Sequence, residues 1–149
     1  MLEANQLKTE YAAHPLGVDT RFPRFSWKLR SEKRGATQTA CRVLVATDVA
    51  HLQDGHPDMW DSGRVESAQQ NHVAYAGAPL ESDTDYCWSV EVWDEAGVSV
   101  GPSEPAFFST GLLDETEWQA KWIGRGSPDE PRADTDHFPG EAGEKLKEL

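Results

Sequence analysis

The sequence predicts an all-β fold, a sandwich of two sheets with about seven strands and one short helical turn near residues 48–54. Three observations carry this expectation. In Thr84-Asp-Tyr-Cys-Trp-Ser-Val-Glu-Val-Trp-Asp94, residues Tyr86, Trp88, Val90 and Val92 fall at alternate positions and share one face of an extended chain. Cys87, Ser89, Glu91 and Trp93 take the opposite face. Shorter runs rich in β-branched and aromatic residues recur on both sides of this stretch, separated by clusters of Gly, Pro, Asp and Ser. Leu80, in a turn after Gly77-Ala-Pro79, precedes Tyr86 by six residues. A leucine in a turn followed by a tyrosine that opens a long strand is the tyrosine-corner pattern, in which the hydroxyl bonds back to upstream backbone.

Taken in order, Leu7-Lys-Thr-Glu-Tyr11 alternates and suits an edge strand. Pro15, Gly17 and Pro23 forbid helix and give an extended, turning approach to the next strand. There Phe25, Trp27 and Leu29 point inward and Ser26, Lys28 and Arg30 outward. Ser31-Glu-Lys-Arg-Gly35 is a charged turn, and Thr37 to Thr47 is the next strand. Asp48 is an N-cap and Gly55 a stop, which allows one or two helical turns between them. Trp60 to Glu66 reads as a short strand with a turn at Ser62-Gly63, and His72-Val-Ala-Tyr75 as another. The central strand spans 84–94 and ends in the hairpin turn Asp94-Glu-Ala-Gly97. Pro102 and Pro105 mark an edge strand or its approach, and Ala106-Phe-Phe-Ser-Thr110 is the last strand.

The expected organisation is therefore a sandwich over residues 1–112, a tryptophan-containing connector over 113–124 and an acidic tail over 125–149. The tail is rich in Asp, Glu, Pro and Gly, with Phe138 its one aromatic residue, and is expected to be disordered.

Composition sets limits. The chain has 149 residues, enough for one domain with a real core, and a net charge of -12. Residues 1–35 are net basic and the remainder strongly acidic, which argues against binding nucleic acid through its phosphates. No run of 18 apolar residues occurs, so no membrane-spanning helix is expected, and the start lacks the basic-then-apolar pattern of a secretory signal. Cys41 shares the inward face with Val43 and Val45, opposite Arg42, whereas Cys87 faces away from the core. Thiols on opposite faces of one sheet cannot reach the roughly 4.5 Å Cβ separation that a disulfide needs. Two free thiols and a reducing, cytoplasmic compartment are expected.

Chemistry-bearing motifs are few. His14, His51, His56, His72 and His137 show no metal-ligand spacing, so no metal is expected; no glycine-rich nucleotide loop occurs, and no cofactor is implied. The nucleophile-elbow pattern Gly-x-Ser-x-Gly is missing as well. Asp94 with Glu95 and Asp83 with Asp85 are paired carboxylates, but they sit in turns, where solvated carboxylates set turn geometry rather than act as acids of raised pKa. Catalytic residues are therefore expected to be none. Trp93, on the face away from the core, and Trp118 and Trp122, four residues apart in the connector, exceed what the sandwich interior needs. They are candidates for docking a neighbouring domain or for stacking on a sugar ring.

Several of these stretches occur together in an order that is itself specific. They are His14-Pro-Leu-Gly-Val-Asp-Thr-x-x-Pro-Arg-Phe-Ser-Trp27, Gln38-Thr-Ala-Cys-Arg-Val-Leu-Val-Ala46, Trp60-Asp-Ser-Gly63, Tyr86 to Asp94, Ser103-Glu-Pro-Ala-Phe-Phe108 and Trp118-Gln-Ala-Lys-Trp-Ile123. Over residues 6–124 the series resembles the N-terminal region of bacterial α-L-rhamnosidases. Cys41 and Cys87 depart from the pattern, where tyrosine or another large residue is expected, and the acidic run after Gly124 stands where the next domain's opening strand would begin.

The resemblance implies a leading immunoglobulin-like, fibronectin type III-like sandwich of a large multidomain glycoside hydrolase. A further β-sandwich and an (α/α)6-barrel catalytic domain with acidic catalytic residues would follow, and none of those residues has a counterpart here. It implies a parent glycosidase that inverts configuration, releasing terminal L-rhamnose with an acid and a water-activating base. This chain would then be a non-catalytic structural module whose partners are the parent's other domains. The alternative is a carbohydrate-binding module that uses an exposed tryptophan.

Overall fold

The structure, a computed structural model, describes residues 2–121. The tail expected to be disordered, 125–149, lies outside the described residues. Among the described residues nine strands form two antiparallel sheets: β1 (Glu3–Thr9), β2 (Arg24–Arg30), β3 (Ala40–Ala46), β4 (Trp60–Asp61), β5 (Val65–Glu66), β6 (Val73–Ala74), β7 (Asp85–Trp93), β8 (Ser99–Pro102) and β9 (Ala106–Ser109). The smaller sheet has the order β1-β2-β6, and the larger runs β4-β3-β7-β8, with β5 also on β3 and β9 also on β7. One short helix, α1 (Val49–Gln53), and a single 3-10 turn, Glu115–Glu117, complete the described elements.

The alternation in the central strand becomes the core. Tyr86, Trp88, Val90 and Val92 face the smaller sheet and pack with Phe25 and Trp27 of β2 and with Cys41, Val43 and Val45 of β3. Aromatic rings meet at the centre, with Phe25 and Trp88 at a centroid separation of 4.4 Å. Both buried indoles have their N–H satisfied, as a low-dielectric interior requires. Trp88 donates to Thr9 Oγ1 at 3.1 Å, and Trp27 donates to Gln38 Oε1 at 3.0 Å. Gln38 in turn donates to the carbonyls of Ser67 and Gln69, which ties the long β5–β6 connection to the core.

The tyrosine corner forms. Tyr86 is buried, and its hydroxyl accepts the Glu81 N–H at 2.9 Å, while Leu80 is buried beside it. Thr110 completes the corner by donating to the Glu81 carbonyl at 2.6 Å and accepting the Thr84 N–H at 3.0 Å. Ser82 secures the outgoing chain at the same place. Its hydroxyl accepts the Leu113 N–H at 2.9 Å and donates to Glu117, whose carboxylate also accepts the Asp114 N–H. Asp114 caps the 3-10 turn reciprocally, accepting the Thr116 N–H at 2.9 Å.

Turn chemistry matches the sequence. Asp48 has extended backbone angles and accepts the Ala50 N–H at 2.7 Å as N-cap of α1, and Gly55 beyond its end has φ +70°. Asp94 Oδ1 accepts the N–H groups of Ala96 and Val98, both at 2.9 Å, and closes the β7–β8 hairpin. The strand expected over 60–66 is divided in two by Ser62-Gly63, because both halves pair with β3 at different heights. A register shift between Asn5 and Lys8 marks a bulge in β1, with Gln6 at φ +49°.

Cys41 lies in the core as expected. Cys87 also lies where alternation places it, on the outer face, yet it is buried. The helix α1 folds back over that face, and Leu52 and Val49 cover Leu44, Ala46 and Cys87 in a second small apolar cluster. The outer face at this position is therefore a second interior rather than a solvated surface.

Candidate functional site

The outer face of the larger sheet presents the side chains that the core leaves over. On β3 these are Ala40, Arg42, Leu44 and Ala46, paired in register with Trp93, Glu91, Ser89 and Cys87 of β7. Residues paired across an antiparallel ladder share a face, so the outer surface is zoned along the strand direction. The Trp93 end is aromatic and cationic, the middle carries charge, and the Cys87 end is apolar beneath α1.

Trp93 is half-buried, and its ring is occupied. Ala40 is paired with Trp93 on one side and with Glu66 on the other, so Arg64, two residues before Glu66, reaches the same face. The Arg64 guanidinium lies 4.9 Å from the Trp93 ring centroid, and Glu66 holds it there at 2.8 Å. Next along the face, Arg42 pairs with Asp61 at 2.6 Å and lies 3.9 Å from Glu91. The Asp61 carboxyl is held below its usual range by the Arg42 hydrogen bond, and Arg42 is raised by the same contact. A sugar ring could stack on Trp93 only after Arg64 left it.

Trp118 stands differently. It directly follows the capped 3-10 turn, and 63% of its surface is exposed, with no ring or cation stacked on it among the described residues. Trp122 lies outside the described residues. The structure thus does not bring Trp93 and Trp118 together: one sits on the sheet face under its own arginine, the other on the segment that leaves the sandwich.

Paired carboxylates take up structural positions. Asp94 closes a hairpin, Glu95 is bonded to Lys33, and Asp83 holds a turn at φ +49° with its N–H on the Gly111 carbonyl. Among the described residues, no group of three or more His, Cys, Asp or Glu side chains is placed to hold a metal ion. No described helix is long and apolar enough to cross a membrane.

One surface went unnoticed in the sequence. Beside the apolar end of the outer face, His14, Leu16, Asp85, Phe107 and Ser109 line a shallow hollow of about 240 Å³. Phe107 is the ladder partner of Cys87 and so lies on the outer face, past the reach of α1. Its N–H donates to His14 Nδ1 at 3.3 Å, and the two rings lie 6.0 Å apart. Leu16 is 87% exposed and Phe107 45%. The adjacent pair Phe107-Phe108 was the available signal, since in a strand only one of two neighbours can face the core.

The sequence profile of the Rha78A-like N-terminal immunoglobulin domain matches residues 4–114. An α-L-rhamnosidase of Streptomyces avermitilis is 43% identical over 127 residues, which are 85% of this chain and 12% of that protein. An α-L-rhamnosidase of Formosa agariphila is 37% identical over 123 residues, 82% of this chain and 13% of that protein. The crystal structure of the Streptomyces avermitilis enzyme complexed with L-rhamnose superposes with a TM-score of 0.80, over 86% of this chain and 12% of that one. The α-L-rhamnosidase from Dictyoglumus thermophilum gives 0.79 at 38% identity, over 84% of this chain and 14% of that one. The chain thus spans about an eighth of the length of these relatives.

Proposed function

We propose, on the premise that this chain belongs to the family of Rha78A-like N-terminal immunoglobulin domains, that it is an accessory module of a multidomain glycoside hydrolase. The parent protein releases terminal L-rhamnose from glycosides, and this module supplies architecture instead of catalytic groups. The observation that carries the reading is the match itself: the family profile takes in the sandwich, while the matched stretch is 12% of an α-L-rhamnosidase. The carboxylates of Asp94 and Glu95 support it, because one closes a hairpin and the other is paired with Lys33.

In this reading residues 1–112 are the sandwich, 113–124 the connector and 125–149 a tail. Trp118 and Trp122 meet the parent's next domain, whereas Trp93, expected to share that role, is covered by Arg64. The compartment is cytoplasmic, in keeping with two thiols held on opposite faces of one sheet.

The test uses the chain itself. Incubation with an aryl α-L-rhamnoside is expected to release no chromophore, and titration with L-rhamnose is expected to leave tryptophan emission unchanged. Saturable quenching that disappears in Trp118→Ala would move the chain to the carbohydrate-binding class. Turnover of the rhamnoside would refute an accessory role altogether.

A further inference from the structure

We infer that the module docks to the polypeptide that follows it through a strip formed by the 14–18 segment and the chain from Phe107 to Trp118, and not through the Trp93 face. This rests on the accessory reading above. Four of the large exposed apolar side chains, Leu16, Phe107, Leu112 and Trp118, lie on these two segments. Backbone hydrogen bonds hold the segments side by side: Ser109 N–H to the Pro15 carbonyl at 3.0 Å, Val18 N–H to Ser109 at 2.8 Å, and Gly111 N–H to Val18 at 2.9 Å. The side chains therefore project from a stiff support, and little freedom is lost when a partner covers them.

The outer sheet face shows why this strip is the open one. At one end α1 already seals Leu44, Ala46 and Cys87, and at the other Arg64 seals Trp93. Between them Arg42, Asp61 and Glu91 satisfy one another. Among the described residues the Phe107 end of this face stays apolar and exposed, beside the shallow hollow lined by His14, Leu16 and Asp85.

The occupant is the next part of the same polypeptide. The strip ends on the segment by which the chain leaves the sandwich, the relatives carry most of their length outside the matched stretch, and the family's domain is an N-terminal one. Covalent attachment holds that following domain at a raised effective concentration beside the strip, on the order of millimolar for a flexible link. At such a concentration a modest apolar contact is occupied most of the time, whereas a diffusing partner would need a larger one.

The experiment replaces the matched stretch of the Streptomyces avermitilis α-L-rhamnosidase with this chain, and follows thermal unfolding of the fusion beside that of the isolated chain. Retained rhamnosidase activity shows that the remainder is folded. The sandwich is expected to melt at a higher temperature in the fusion than alone. Leu16→Glu with Phe107→Glu should return it to the temperature of the isolated chain while leaving the isolated chain's own melting unchanged. Hydrogen exchange at residues 14–18 and 107–112 should slow in the fusion. Stabilisation that survives the double substitution but is lost in Trp93→Ala would overturn the assigned strip and keep the accessory reading. A sandwich that melts and exchanges identically alone and in the active fusion would overturn both.

Discussion

Gly77 shows how closely a single residue can be specified by its surroundings. A Cβ at this position would stand 2.4 Å from the Met59 carbonyl oxygen, 2.4 Å from Trp60 Cβ and 2.7 Å from the Tyr75 hydroxyl. Neither the backbone oxygen nor the buried tyrosine can yield cheaply, since that hydroxyl donates to the Ala78 carbonyl at 2.5 Å. Gly77→Ala is therefore expected to destabilise the sandwich by about 1–3 kcal/mol, the usual range for overpacking. Urea unfolding followed by tryptophan emission would measure it, and a change below a few tenths of a kcal/mol would show that the 75–78 turn relaxes freely. At this scale the sequence was most readable where chemistry is local. Tyr86, Leu80, Asp48 and Asp94 each announced a role through a turn or a cap within a few residues. Trp93 was less readable, because whether its ring is bare or covered depends on Arg64, which comes from the β4–β5 connection.

Among the elements, α1 does more than connect β3 to β4. It has only five residues, too short to persist alone, and it is held by the Asp48 cap and by Leu52 packing on the sheet. Leu52→Ala should cost about 2 kcal/mol, the low end for a buried leucine, because Leu52 lies at the surface edge of its cluster. The same substitution should speed the reaction of Cys87 with a thiol reagent. Burial pushes the Cys87 thiol up to about 11, so at neutral pH it is an inert, protonated group under a lid. Unchanged labelling kinetics would mean that something other than α1 shields the sulfur. Sequence periodicity identified both faces of β7 correctly but could not show that the second is covered. Alternation reports direction, and cover depends on where a neighbouring element folds back. The division of the 60–66 strand into β4 and β5 was hidden for a related reason, since it follows from their separate registers on β3.

For the molecule as a whole, the titrating groups define a stability profile. On the acid side, the Arg24 hydrogen bond holds Glu10 below its ordinary value of 4.5, and Arg42 holds Asp61 below 3.8. Their contributions are present above those ordinary values and are lost as pH falls through the lowered ones. On the alkaline side the sign reverses. Burial raises Cys87 from 9.0 to about 11 and Tyr75 from 10.0 to about 12, so the folded chain holds protons that the unfolded chain releases. Stability should be level through neutrality and decline from about pH 9 upward. Replacing Cys87 by Ala should lessen the earlier part of that alkaline decline, which Cys41, also raised by burial, shares, as read by midpoints of denaturant unfolding across pH. An unaltered slope between pH 9 and pH 11 would show that the thiol does not titrate with folding. The fold class was legible at this scale because two-residue periodicity and turn residues agree along the whole chain. The apolar strip was not legible, because it is assembled from segments some ninety residues apart, joined by backbone bonds such as those of the Val18–Thr110 bridge.

The grip of Ser82 on the departing chain has a mechanical corollary. One hydroxyl binds both the Leu113 amide and the Glu117 carboxylate, beside the buried corner that anchors β7. The exit is thus a clamped bracket instead of a swivel. Tension drawn along the chain through residues 113–117 is delivered to the buried corner rather than to a free hinge.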